Sequence, residues 1–175
     1  STFEKKDSTG ICFIGERPFP SFLENYINDK PGRIICDKGN DVGLHRGLSF
    51  YTLGQRQGLG IGGLKDYDER PWYVIEKNLS ENILVVAQGN DNQKLFNNKL
   101  SVDSINWICE PDLTEPVKLE AKIRYRQDDQ ECILSKKGKT FSVEFKKPQR
   151  AITPGQSIVF YQDNICLGGG EIYKS

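Results

Sequence analysis

The sequence has 175 residues, 37% hydrophobic and 27% charged, with 24 basic side chains balanced by 24 acidic ones. That suffices for one ordinary domain or two small ones, with enough apolar material for a core and too much for wholesale disorder. No apolar run approaches the ~20 residues that a bilayer core requires, so no helical membrane span is expected.

The polar, charged start is unlike a secretory signal, and without any Met the chain reads as a piece of a longer protein. Residues 1–15 run from a polar entry into the apolar Ile11-Cys12-Phe13-Ile14. Residues 21–27 place Phe22, Leu23, Tyr26 and Ile27 at helical spacing, with Ser21 as N-cap and Glu24 completing a capping box, which predicts a short helix. Pro31-Gly32 turns the chain, and strands are expected at 33–36, 49–53, 72–77 and 83–88, the last two joined as a hairpin through 78–82. The turn-rich Gln88-Gly89-Asn90-Asp91-Asn92 divides the chain into an entry (1–15), a central domain (16–88) and a C-terminal domain (89–175).

The C-terminal part is more regular. Across residues 118–126, Leu119, Ala121, Ile123 and Tyr125 alternate with Lys118, Glu120, Lys122, Arg124 and Arg126, the pattern of a half-buried strand with a mostly basic outer face. Phe141, Val143 and Phe145 repeat the alternation, and strands at 158–161 and 164–167 flank a Gln162-Asp163 turn. Seventeen glycines and eight prolines punctuate these runs. The expected fold is mainly β: a small central α+β domain, then a small antiparallel barrel or sandwich.

Few residues suggest chemistry by themselves. Gly58-Leu59-Gly60-Ile61-Gly62-Gly63 matches the dinucleotide fingerprint by letter, but Leu64-Lys65-Asp66-Tyr67-Asp68-Glu69-Arg70-Pro71 cannot open the helix that would hold a pyrophosphate. His45, the one histidine, excludes a His-pair metal site and reads as structural. The five cysteines lack any CxxC pair, which argues against zinc or a secreted disulfide framework; most read as reduced, small buried hydrophobes. Cys12 has Lys5, Lys6 and Arg17 nearby, which favours thiolate, yet its apolar neighbours fit a buried strand. Residues 116–150 hold ten basic and five acidic side chains, which suits either a local polyanion contact or a solvated strand face.

Several segments carry a resemblance. Asp7-Ser8-Thr9-Gly10-Ile11-Cys12-Phe13-Ile14-Gly15-Glu16-Arg17, Tyr51-Thr52-Leu53-Gly54-Gln55-Arg56-Gln57 continuing through Gly63, Pro71-Trp72-Tyr73-Val74, Arg124-Tyr125-Arg126-Gln127, Thr153-Pro154-Gly155-Gln156 and Cys166-Leu167-Gly168-Gly169-Gly170 closely resemble the tRNA-specific 2-thiouridylase family, in its order. The resemblance implies an ATP pyrophosphatase domain outside this sequence, then a small central domain and a C-terminal barrel similar to those of translation factors. It implies that the wobble uridine of lysine, glutamate and glutamine tRNAs is adenylated at its C2 oxygen, that a persulfide delivers sulfur, and that AMP leaves. Cys12 matches the persulfide cysteine, which would end in a disulfide with a partner cysteine of the missing domain. Arg124, Tyr125 and Gln156 match tRNA contacts. ATP, with Mg2+, would be bound by the missing domain and no cofactor by this part. A sulfur-donor protein is an implied partner, and a monomer in the cytoplasm, or alternatively the mitochondrial matrix, the implied setting. The alternative to an enzyme fragment is a non-catalytic RNA-binding or protein-docking barrel.

Overall fold

A computed structural model describes residues 30–174. The predicted helix at 21–27 and Cys12 lie outside them.

Strands β1 (Gly32–Cys36), β2 (Asp41–His45), β3 (Trp72–Asn78) and β4 (Ile83–Gln88) form a mixed sheet in the order β2-β1-β4-β3, with β1 and β4 parallel. The apolar run Ile83-Leu84-Val85-Val86-Ala87 explains why β4 is internal, because both its neighbours bury it. The predicted hairpin joins β3 to β4: Asn78 pairs with Ile83, and the Asn78 Oδ1 accepts from the Glu81 N–H at 3.1 Å.

The strand expected at 49–53 does not form. Gly47, at φ 146°, redirects the chain into a single 3-10 turn at Leu48–Phe50, and Leu48 and Tyr51 drop into the sheet's core. The loop that follows still borrows one strand-like contact: Gly54 N–H donates to Val74 O at 2.8 Å and Val74 N–H to Gln55 O at 3.0 Å. β2 was not foreseen, since Asp41-Val42-Gly43-Leu44-His45 carries one inward aliphatic and a glycine.

Strands β5 (Phe96–Trp107), β6 (Val117–Lys122), β7 (Gln130–Lys137), β8 (Thr140–Arg150), β9 (Ser157–Gln162) and β10 (Ile165–Lys174) close an antiparallel barrel in the order β10-β5-β8-β7-β6-β9. Closure leaves no sheet edge to solvent. Its interior is filled by Val102, Leu134, Val143, Ile158, Phe160 and Ile172, all fully buried, with Trp107 packed against Phe141 and Phe160. The expected period-2 faces hold: Leu119, Ala121, Phe141, Val143 and Phe145 all point inward. The β9–β10 turn falls one residue later than expected, at Asp163 and Asn164, whose φ values of 50° and 66° suit a tight hairpin turn.

The glycines of Gly168-Gly169-Gly170 are there for packing. A Cβ on Gly168 would sit 2.4 Å from Asn106 O, and one on Gly170 2.2 Å from Ser104 O. Side chains cannot enter where β10 crosses so close to the β5 backbone.

Candidate nucleic-acid interface

The strand expected over 118–126 ends at Lys122, so Arg124 and Arg126 do not extend a basic strand face. The ladder with β7 ends at the Ala121–Gln130 pair, and the side chain of Gln127 then takes over the backbone: its Oε1 accepts from Ile123 N–H at 3.2 Å. Gln127 N–H donates to Arg124 O at 3.1 Å and closes a turn. Over the strand itself the outer face is mixed rather than basic, because Glu120, Glu131 and Glu144 lie among Lys118 and Lys146. Lys146 pairs with Glu131 at 2.6 Å, and this contact holds the Glu131 carboxyl below its usual range. Exposed pairs of this kind add little stability, but they neutralise the local excess of cations.

The turn changes what Tyr125 does. Strand parity would bury it; in the turn it is 69% exposed. Arg124 is anchored: its Nη2 donates to Arg150 O at 2.9 Å and Ala151 O at 3.1 Å, which leaves the donors on Nε and Nη1 for a ligand. Burial first, and the Arg150 guanidinium second, push the Arg124 guanidinium below its ordinary value. It remains a cation at neutral pH.

Gln156 lies on the turn that precedes β9. Gln156 N–H donates to Thr153 O at 3.2 Å, and its carbonyl accepts from Ile172 N–H at 2.8 Å. The residue is half-buried, and its Oε1 is enclosed without a hydrogen-bond partner. An enclosed, unpaired amide oxygen costs free energy unless a donor reaches it.

These residues meet. An open cleft of about 1440 Å³ is lined by Arg124, Tyr125, Arg126 and Gln156, with Lys122 and Tyr161 on its floor strands. Lys122 pairs with Asp129 at 3.4 Å and lies 5.4 Å from the centre of the Tyr161 ring. The cleft thus combines guanidinium, an exposed ring and an amide, which suit phosphate, an unstacked base and a base or ribose edge respectively.

Behind the cleft is a relay of amides that the sequence reading missed. Gln149, 4% exposed, accepts from Gln127 Nε2 and donates to Gln130 Oε1 at 3.2 Å and Lys147 O at 2.8 Å. Periodicity could not have found it: the inward series Phe141, Val143, Phe145 is broken at the exposed Lys147, and the β5–β8 register shifts between Glu144 and Gln149.

The remaining candidates read as structural. His45 is buried, its Nδ1 accepts from Gly47 N–H at 3.1 Å, and its Nε2 therefore donates to Asn82 O at 3.1 Å. Of the four described cysteines only Cys36 and Cys132 are buried; Cys109 is exposed and Cys166 half-buried, so burial holds for half of them rather than for most. Burial, reinforced by Glu120, pushes the Cys132 thiol up to about 12. The loop at 58–63 leads into a turn, Tyr67 N–H to Leu64 O at 3.1 Å, and no helix follows it before β3.

Two family models match the chain: a tRNA methyl transferase PRC-barrel domain over residues 20–88 and an aminomethyltransferase β-barrel domain over residues 97–172. The chain is 54% identical over its whole length to the tRNA-specific 2-thiouridylase MnmA of Stutzerimonas stutzeri, covering 47% of that protein. It is 53% identical over 98% of its length to the enzyme of the same name from Pseudomonas entomophila, covering 46% of it. The chain thus spans about half the length of the curated relatives it matches. Such identity, running across both the mixed sheet and the barrel, places the chain in the tRNA-specific 2-thiouridylase family.

Proposed function

We propose that this chain supplies the tRNA-holding part of an ATP-dependent sulfurtransferase that converts the wobble uridine of tRNA to 2-thiouridine. The observation that carries the reading is the meeting of Arg124, Tyr125 and Gln156 in one cleft, in a chain whose relatives are named tRNA-specific 2-thiouridylases. Arg124 holds backbone phosphate, the exposed Tyr125 ring stacks on an unpaired base, and the Gln156 amide receives a donor from base or ribose. Lysine, glutamate and glutamine tRNAs are the proposed substrates, and the cytoplasm the proposed setting.

Cys12 is the proposed carrier of the sulfane sulfur, loaded by a sulfur-donor protein. The described residues do not fit ATP: the one literal nucleotide fingerprint, at 58–63, has no helix N-terminus behind it. Nucleotide binding, with Mg2+, is therefore assigned to the part of the relatives' length that this chain does not cover.

Titration of the full-length protein with tRNA across a salt series tests the cleft. Arg124→Ala should weaken binding of many tRNAs alike and lower the slope of log K against log salt by ~0.7 to 0.9, one phosphate contact. Gln156→Ala should weaken binding with little change of slope. Wild-type affinity and slope in both variants would overturn the reading, and tRNA binding without sulfur uptake by Cys12 would leave only a binding module.

A further inference from the structure

One three-residue segment at the end of β8, Gln149-Arg150-Ala151, connects the cleft to the seam between barrel and sheet. Gln149 faces the amide relay that fixes the 124–127 turn. Ala151 O accepts from Arg124 Nη2 and from Thr153 Oγ1, each at 3.1 Å, so it serves both turns of the cleft. Ala151 N–H donates to Leu95 O, in the connection that leads from the sheet to the barrel.

Arg150 points the other way, out of the barrel. Its guanidinium carbon lies 5.0 Å from the centre of the Tyr73 ring on β3. It also lies close to Gly54, whose missing Cβ would sit 3.2 Å from Arg150 Nη1 and 2.7 Å from the Ala151 Cβ. Gly54 has φ 77° and is tied to β3 by its bond to Val74 O, so this glycine is required by its own backbone and by the closeness of the seam. Ala151 itself has φ 49°, a conformation that a non-glycine residue keeps only when its surroundings enforce it. Those surroundings are the seam on one side and Arg124 on the other.

We propose that Arg150 is a positioning residue for RNA binding: held against Tyr73 and Gly54, it keeps the 149–151 segment in the conformation that sets Arg124 and the 124–127 turn. The seam and the cleft are then one mechanical unit, and loosening the sheet side disorders RNA contacts that the sheet never touches. The RNA arm of the test rests on the functional reading above; the arm without RNA does not.

The test uses the full-length protein with Tyr73→Ala, Gly54→Ala, Arg150→Ala and Arg150→Lys. Without RNA, amide hydrogen exchange at Gln127 and Gln156 should accelerate roughly tenfold in Tyr73→Ala and Gly54→Ala, while Val102 and Phe160 in the barrel core stay slow. With RNA, Tyr73→Ala and Arg150→Ala should each weaken tRNA binding roughly three- to tenfold, the scale of one cation–π contact. The salt slope should be unchanged, because neither side chain touches phosphate. The double variant should be no weaker than either single, and Arg150→Lys should recover part of the loss. Should Arg150→Ala lose slow exchange in the core, the two sheet-side variants decide the question. Unchanged exchange at Gln127 and Gln156 in both sheet-side variants would overturn the proposal. So would a slope reduced by one contact in Arg150→Ala beside wild-type affinity in Tyr73→Ala, which would make Arg150 itself a phosphate ligand. A wild-type protein that binds no tRNA would remove the functional reading and leave the exchange result to judge the coupling.

Discussion

Replacing Gln149 with leucine nearly conserves side-chain volume while cutting the amide relay behind the cleft at its centre. Three hydrogen bonds disappear, to Gln127, Gln130 and Lys147. Each is worth ~0.5–1.5 kcal/mol net, and a buried partner left unsatisfied costs ~1–3 kcal/mol. Gln127 and Gln130 are long side chains only partly buried, so they can swing toward water and recover some of this. Leucine at a 4% exposed site regains roughly 1 kcal/mol of apolar burial. The balance is a destabilisation of about 2 kcal/mol, which for a barrel of this size lowers the melting temperature by roughly 8–16 °C. Urea and thermal melts of Gln149→Leu against wild type measure it directly. Because Gln127 Oε1 also holds Ile123 N–H, exchange at Ile123 should speed up as well. A change below ~0.5 kcal/mol with Ile123 still protected would refute the reasoning, since water or Gln130 would then be doing what is assigned to Gln149.

Three further outcomes follow from the same structure. Stability should fall as pH rises from the ordinary thiol value, about 8.5, toward about 12. In that window the unfolded chain releases the Cys132 proton and the folded chain keeps it, so the slope is up to ~1.4 kcal/mol per pH unit, and Cys132→Val should remove that component in paired pH melts. Gly170→Ala should cost more than ~3 kcal/mol or prevent folding, because its Cβ would lie 2.2 Å from Ser104 O and 2.6 Å from Val102 Cγ1; a melt within 1 °C of wild type would show that β10 can move aside. Cys12→Ser in the full-length protein should abolish sulfur transfer from a physiological donor, whereas Cys36→Ala, Cys109→Ala, Cys132→Ala and Cys166→Ala should alter stability at most; sulfur transfer assays on folded variants separate the two outcomes.

Where one face of a strand is buried, the fold was legible in the sequence. Leu119-Ala121 and Phe141-Val143-Phe145 announce barrel strands because period-2 alternation is what a half-buried strand needs. The same logic failed just past Lys122, where Gln127 ends the strand through a side-chain bond to Ile123 N–H that no periodicity reveals. That single event moves Tyr125 from the core to solvent and takes Arg124 out of the strand's outer row, where one of its nitrogens anchors on the 150–151 backbone. Strand β5, with Asn97, Asn98, Lys99, Asp103, Ser104 and Asn106, was illegible because only Leu100, Val102 and a few partners face inward along its length. The role of Gly54 was invisible for a different reason: it depends on Ala151, nearly a hundred residues away, and only the folded seam brings them together.

The claim that the cleft meets tRNA can be tested where the ring of Tyr125 now stands. An azidophenylalanine placed at 125 in the full-length protein keeps the exposed aromatic and reports contact on irradiation; the same probe at Lys139, beyond the far end of β7 in the β7–β8 turn, serves as the comparison. The account predicts an efficient crosslink to tRNA at 125, suppressed by excess unlabelled tRNA, and little at 139. A crosslink at 139 with none at 125 would contradict it.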